Sequence, residues 1–289
     1  MKGKAVVFED RMKVVFREVE VPEPTDDDIV VDVEYSWIST GTESSFLRGE
    51  RINGETFRSA DDPWPFPIVM GYQKTGIVRE VGSRVRDLLP GDRVFVATSK
   101  VANMFFPQGG HVSPAVVAAS QVWKLPEDAV GIDYSGLVLT QVGYNCGSRP
   151  PVAAACRAVV IGDGLVGQWA AQTLQHRGAE VLVIGRHDER LRYLPAGIAP
   201  VNARKASAID RIAADWKGQV DIVVDSVGDM ETVESLWPCM SRGSHLVSAG
   251  FLGTRGMIDI QRLRLKEMTL HTPSGWQKER MDRTLEGDP

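Results

Sequence analysis

Val159-Val160-Ile161-Gly162-Asp163-Gly164-Leu165-Val166-Gly167 decides the fold. The apolar run closes a short buried strand over residues 157–161. A helix over 165–177 follows, because Val166, Trp169, Ala170, Thr173 and Leu174 recur at helical spacing and Gly178 is placed to stop it. The turn between them reads G-x-G-x-x-G, a pattern that gains meaning only in this strand–turn–helix setting. Gly162 permits the tight turn, Gly164 lets the backbone approach a pyrophosphate, and Gly167 lets the helix pack close to the strand. Free N–H groups and the dipole at the helix start favour an anion there, so Leu165 and Val166, which open the helix, belong to the same candidate site.

Working outward, the same alternation continues to the end of the chain. Strands are expected at 180–184, 220–225, 245–251 and 268–272, and helices at 207–216 and 231–240. Near-continuous apolar strands alternating with amphipathic helices imply a doubly wound parallel sheet covered on both faces. The first half reads differently. Strands at 4–8, 13–19, 29–35, 75–81, 93–97 and 112–118 are short and separated by Gly, Pro and Asp, the pattern of a partly open barrel or a sandwich. The expected division is a β-rich substrate domain over 1–130 and a dinucleotide-binding domain over 131–289, with 276–289 as a short closing segment. Pro63-Trp64-Pro65-Phe66-Pro67 reads as a stiff extended stretch.

The end of the second strand of the dinucleotide half refines the ligand. An acidic residue there commonly accepts from the adenosine ribose. This chain has Gly185-Arg186-His187-Asp188. Glycine removes a repulsion against a 2′-phosphate and arginine can pair with it, so NADPH is expected ahead of NADH, with His187 as a further phosphate or ribose neighbour. The alternative is that Arg186 only stacks on the adenine and Asp188 caps a helix. His176 and His271 show no partner and read as structural.

With a β-rich half first and a dinucleotide half second, several stretches carry a resemblance. PFPIVMGYQKTGIVREVGSRV, LLPGDRVFV, QGGHVSPAVVAASQVWKLPED, AVVIGDGLVG and GSHLVSAGF resemble the medium-chain dehydrogenase/reductase family across nearly the whole chain. The resemblance implies a GroES-like barrel followed by a Rossmann domain. It also implies cofactor contacts at Thr140, near the nicotinamide, at Val227 and at Gly250. Zinc-containing members carry a cysteine on the turn after the third strand and a Gly-His-Glu after the PFP segment. Here those places hold Ser39, in the ISTGTE turn, and Gly71-Tyr72-Gln73, and the usual four-cysteine lobe has no cysteine. Zinc needs about three donors from Cys, His or carboxylate. Glu43 and His111 are too few, so no metal is expected. The ISTGTE turn with Gly-Tyr is similar to zinc-independent, bacteriochlorophyllide-type hydroxyethyl dehydrogenases. Family members continue beyond the last cofactor strand, so the expected closing segment is a reduced one or is compensated by a partner subunit.

Without a metal, side chains must polarise a carbonyl and exchange its proton. Tyr72, in the slot of a missing ligand, is the first candidate, and Ser39 and Thr42 are orienting or relay hydroxyls. The competing reading is that Tyr72 simply fills the slot. Met104, Phe105, Phe106 and Trp64 read either as an apolar wall for a large conjugated substrate or, more simply, as local packing. Three functions stay open: a carbonyl/alcohol oxidoreductase, a C=C (enoyl or quinone) reductase, and a non-catalytic NADPH-binding or assembly protein.

Bulk properties set the remaining expectations. The 289 residues are 43% hydrophobic and 25% charged, with net charge −5, a globular composition that offers nucleic acid or an anionic membrane no attraction. The first residues lack a signal-peptide core and no run is long enough to span a bilayer, so a cytoplasmic location is the default. Cys146, Cys156 and Cys239 are few and far apart and read as buried free thiols. A small-molecule substrate and a homodimer joined through the strand 245–251 or its successor complete the expectations.

Overall fold

The structure is a computed structural model and describes residues 1–50, 66–251, 258–275 and 277–286. Trp64 and Trp276 lie outside the described residues. By internal contacts the chain forms two compact units, Met1–Val138 and Leu139–Pro289.

In the first unit, β1 (Lys2–Asp10) pairs antiparallel with β2 (Lys13–Glu20). Next come β3 (Asp28–Ser36), α1 (Thr40–Leu47), β4 (Ile68–Val69), β5 (Lys74–Val81) and β6 (Arg93–Val96). The strands β7 (Ser99–Lys100), β8 (Gln108–Gly109), β9 (Val112–Ser113), β10 (Ala115–Ala118) and β11 (Val122–Lys124) complete the set, and α2 (Gly131–Tyr134) follows. One sheet runs β2-β1-β4 with β9 also on β1, and a second runs β10-β3-β5-β6-β11. Successive residues of β3 and β10 are buried, so both faces of their sheet carry apolar packing. Ala5, Val7, Val19, Val30, Val69 and Val116 make one apolar cluster, and Ile29, Val31, Val78, Val94 and Val117 another. Each of these valines and isoleucines contributes about 2 kcal/mol through burial.

The second unit holds α3 (Leu137–Ser148, beginning in the first unit), β12 (Arg157–Ile161), α4 (Leu165–His176), β13 (Glu180–Gly185), α5 (Asp188–Leu191) and β14 (Ile198–Asn202). Then come α6 (Ala208–Trp216), β15 (Val220–Asp225), α7 (Met230–Leu236), β16 (Met240–Ser248), α8 (Ile260–Leu265), β17 (Thr269–His271) and α9 (Lys278–Glu286). Six parallel strands run in the order β14-β13-β12-β15-β16-β17. Alternate residues of these strands feed two apolar clusters, one on each face of the sheet. The α/β reading of this half therefore holds. Gly178 adopts φ +94 just after α4, the left-handed stop expected of it. Ser207 caps α6 by accepting from the Asp210 amide.

Several expectations change. The ISTGTE stretch is not a turn: Thr40 begins α1, held by a polar contact described below. The 112–118 strand is two strands interrupted at Pro114, which cannot donate to a ladder. The 231–240 helix ends at Leu236, because Trp237-Pro238-Cys239 tightens into a 3-10 turn and Met240 already opens β16. Asp188 is the first residue of α5 and not its cap, which is His187. His271 does have a partner: its Nε2 lies 3.0 Å from His245 Nδ1. The three cysteines are free and buried, and burial pushes the Cys146 thiol up to about 12. Met104 packs against the β1 cluster, and Phe106 packs beside Phe8, Ile68 and Met70, which is local packing. No helix among the described residues is long and apolar enough to cross a membrane.

Candidate functional site

Two groups of residues carry chemistry, one in each unit. The first is built where α1 begins. Ser39 is the residue before α1, and its backbone amide donates to Glu43 Oε1 at 2.8 Å. A carboxylate reaching back over the first turn satisfies an amide that the helix leaves orphaned, and this explains a helix in so polar a sequence. The other carboxylate oxygen, Oε2, lies 2.8 Å from His111 Nε2, and His111 Nδ1 lies 2.9 Å from Ser36 Oγ at the end of β3. Ser39, Glu43 and His111 are all buried. The His111 ring occupies the space a side chain at Gly71 would need: a Cβ there would come within 2.6 Å of Nε2. Gly71 also sits at φ +91, so glycine is required twice over.

The residue after Gly71 completes the group. The Tyr72 hydroxyl hydrogen-bonds to Ser39 Oγ and lies 3.4 Å from Thr42 Oγ1. The three hydroxyls singled out from sequence are thus neighbours. Beneath them Lys74 is fully buried, and its Nζ donates to Ser99 Oγ (2.8 Å), Gly109 O (3.3 Å) and Gly110 O (2.9 Å). Those carbonyls belong to the loop that carries His111. Burial pushes the Lys74 ammonium down to about 7. Sequence reasoning weighed Glu43 and His111 only as metal ligands and missed Ser36 and Lys74. No local motif links positions 36, 43, 74 and 111.

The donor set argues against zinc at this place. Both His111 ring nitrogens and both Glu43 oxygens are already engaged within the protein. The remaining neighbours are Ser39, Tyr72 and Thr42, and among the described residues no three His, Cys, Asp or Glu side chains converge. These residues do not fit a site needing about three protein donors.

The second group lies at the carboxyl ends of the parallel strands. Gly162 adopts φ +117, and a side chain there would strike Ser226 Oγ and Val227. A Cβ on Gly167 would collide with the Gly162 carbonyl. Gly164 caps α4 and differs from both: nothing in the protein lies within 4 Å of an added Cβ. The protein's own packing therefore does not require glycine at 164, and the space in front of the start of α4 is left open. Leu165 and Val166 form the first turn of α4.

Arg186 and His187 follow β13. Their backbone amides donate to Asp163 Oδ2 at 2.7 and 2.8 Å, and His187 Nδ1 lies 3.0 Å from the same oxygen. Asp163 is buried, and these hydrogen bonds outweigh desolvation to hold its carboxyl below the usual range. A Cβ at Gly185 would come within 2.6 Å of that carboxylate. Glycine at 185 thus has a packing reason that the sequence did not reveal. The Arg186 guanidinium is exposed and pairs with Asp229 at 2.8 Å. Asp225 Oδ1 accepts from the Val227 and Gly228 amides, and Gly250 lies directly against Val227 and Gly228. The ends of β12, β13, β15 and β16 are in this way tied into one rim. Thr140 stands on α3, which packs parallel to α4, with Gly143 against Val166 and Trp169 and Gly147 against Ala170 and Thr173. That packing puts Thr140 at the glycine-turn end of α4. Next to it, Gln141 is fully buried with neither amide atom hydrogen-bonded within the protein.

Two family models match the chain: one described as an alcohol dehydrogenase GroES-like domain, over residues 25–127, and one as a zinc-binding dehydrogenase, over 166–286. The chain is 26% identical over 290 residues to the 2-desacetyl-2-hydroxyethyl bacteriochlorophyllide A dehydrogenase of Cereibacter sphaeroides, spanning 97% of this chain and 84% of that one. It is 25% identical over 263 residues to the Rhodobacter capsulatus protein of the same name, spanning 88% and 76%. Among solved structures, a zinc-binding dehydrogenase from Sinorhizobium meliloti bound to NADP superposes with a TM-score of 0.79 at 22% identity, covering 100% of this chain and 90% of that one.

Proposed function

The chain belongs to the medium-chain dehydrogenase/reductase family, and from that footing we propose that it is a zinc-independent, NADPH-dependent oxidoreductase acting on a carbonyl/alcohol pair. The observation that carries the reading is the Tyr72 hydroxyl held against Ser39 and Thr42, with Ser39 fixed through its amide to the buried Glu43–His111 pair.

The dinucleotide supplies hydride chemistry when bound. Gly162, Gly164, Leu165, Val166 and Gly167 would cradle its pyrophosphate. Arg186 would pair with a 2′-phosphate, His187 and Val227 would border the adenosine half, and Thr140 and Gly250 the nicotinamide half. In the reducing direction, Tyr72 donates a hydrogen bond that polarises the carbonyl and then gives its proton to the developing alkoxide. Once Tyr72 turns its O–H to the substrate, the Ser39 and Thr42 hydroxyls beside it donate to the tyrosine oxygen and stabilise the tyrosinate left after transfer, which recovers its proton from solvent water. Glu43 touches Ser39 only through the backbone, so it and His111 are positioning residues. The relatives named for a hydroxyethyl bacteriochlorophyllide support a secondary alcohol on a large conjugated substrate. The edge strand β17 is the surface by which we expect two copies to pair as a homodimer.

The test is dinucleotide consumption with aldehydes, ketones, secondary alcohols and enones, with and without a chelator, for wild type and Tyr72→Phe. NADPH-linked carbonyl reduction that survives chelation and falls about a hundredfold in the variant is expected. Turnover of enones alone would move the assignment to C=C reduction. Activity lost to the chelator and restored by zinc would end the metal-independent reading.

A further inference from the structure

The second unit also carries a cavity at the opposite end of α3 and α4 from the glycine turn. It measures about 490 Å³, and its lining includes Arg149, Arg177, Arg280 and Arg283 together with Tyr144, Asn145 and Ser148, with no carboxylate among the described residues that line it. The chain as a whole is acidic, with net charge −5, so four guanidinium groups around one cavity are a local reversal. Most arginines elsewhere pair with Asp or Glu. These bond only to neutral oxygens: Arg149 to Asn145 Oδ1 (3.1 Å), Arg177 to the carbonyls of Gly147 (2.7 Å) and Pro150 (2.8 Å), and Arg280 to the Ser274 carbonyl (3.2 Å) and Gln277 (2.9 Å). Arg283 has no hydrogen-bond or ion-pair partner among the described residues.

Helix ends account for part of this charge, since carbonyls at a helix C-terminus attract a cation. They do not account for two further features. Asn145 is only 7% exposed and its Nδ2 has no hydrogen-bond partner, and Ser148 Oγ, also buried, has none. Buried polar groups are rarely left unpaired. The lining therefore offers mainly donors: guanidinium forks, one amide and the hydroxyls of Ser148 and Tyr144. Such a set matches an acceptor-rich, multiply charged oxyanion, which arginine binds through two parallel N–H groups. The volume falls in the range of small-molecule sites and exceeds what orthophosphate alone needs.

We propose that this cavity binds a small phosphorylated metabolite, its phosphate held by Arg280 and Arg283 with Asn145 Nδ2 and Ser148 Oγ as neutral donors. The site is separate from the dinucleotide turn: α4 begins at the turn and runs twelve residues to Arg177 at the cavity, about 18 Å of helix. It does not depend on the proposed reaction.

The probe is inorganic pyrophosphate, titrated calorimetrically into the full chain with and without saturating NADPH. The variants are Arg280→Ala/Arg283→Ala and, as a charge control at an exposed site elsewhere, Arg204→Ala, with thermal melts to show that each folds. A saturable site is expected that persists with NADPH present, weakens at least tenfold in the double variant and is unchanged in the control. If the double variant does not fold as wild type, Asn145→Leu replaces it, with the same tenfold loss expected. Absence of saturable binding to wild type overturns the proposal. So does displacement by NADPH, which would put the pyrophosphate at the glycine turn, or an equal loss in the Arg204 control, which would make the effect one of net charge.

Discussion

The two chemistry-bearing groups are assembled in opposite ways. At the second unit's rim, the residues that would cradle the pyrophosphate are contiguous, six positions from Gly162 to Gly167, and the backbone does most of the work there. In the first unit, Ser36, Ser39, Thr42, Glu43, Tyr72, Lys74 and His111 come from three separated segments, and side chains do the work. A backbone site tolerates exchange of most side chains and fails when a glycine gains a Cβ. A side-chain site tolerates small backbone changes and fails when one functional group is removed.

The glycines test this most severely, and they are not equivalent. Gly167→Val drives a branched side chain into the Gly162 carbonyl. It is expected to lower stability by about 3 kcal/mol and to abolish measurable NADPH binding, read by thermal melts and fluorescence titration. Gly164→Ala meets no protein atom and keeps an allowed backbone at φ −79. Its melting temperature should fall by only a few degrees, since the N-cap change costs about 1 kcal/mol and alanine recovers part of that by stiffening the unfolded chain, while NADPH affinity falls at least tenfold. Equal losses of stability in both variants would break the distinction between a packing glycine and a ligand glycine.

On the side-chain site, Glu43→Gln keeps one acceptor for the Ser39 amide and removes the charge facing His111. We expect kcat to fall about tenfold with KM for NADPH unchanged, less than for Tyr72→Phe, because Glu43 acts through position alone. A loss as large as that of Tyr72→Phe would make Glu43 a participant in proton transfer.

Legibility followed the same line. The glycine turn was readable because strand, turn and helix are consecutive, and their periodicities change at the turn. Tyr72 and Ser39 are legible through slots left by missing metal ligands and Thr42 through its place in the same ISTGTE stretch, whereas their supports are not, since nothing local ties position 43 to 111 or 74 to the 109–110 carbonyls. Helix α1 was hidden for the same reason. Its sequence lacks an apolar stripe, and its start is fixed by one carboxylate reaching back to Ser39. Gly185 shows a subtler limit. Sequence gave it to the 2′-phosphate, yet the Asp163 carboxylate already excludes a side chain there.

That leaves Arg186 as the discriminating group, and it is committed to Asp229 in an exposed ion pair. Such pairs are worth less than about 1 kcal/mol, so a 2′-phosphate can compete for the guanidinium. Arg186→Ala should weaken NADPH about tenfold and leave NADH unchanged in parallel fluorescence titrations. Equal weakening of both would assign Arg186 to the adenine, and no weakening of either would leave it to Asp229 alone.

Lys74 supports the side-chain site through its bonds to Ser99 and to the Gly109 and Gly110 carbonyls. Its folded pKa, about 7, lies below the 10.5 of the unfolded chain. Between those values the unfolded state binds one more proton than the folded state, so stability rises with pH across that window, at most by about 1.4 kcal/mol per pH unit. Below pH 7 the ammonium is charged in both states and the slope vanishes. Lys74→Met removes the titrating group but leaves Ser99 and the Gly109 and Gly110 carbonyls without their donor. The variant should therefore lose stability at pH 9, where wild type holds a neutral, hydrogen-bonded amine, and lose less at pH 6.5, where wild type bears the cost of a buried charge. Melting curves at both pH values read the difference directly. A variant whose deficit is larger at pH 6.5 would mean that the three acceptors hold the ammonium charged, and that this support behaves as a buried cation site.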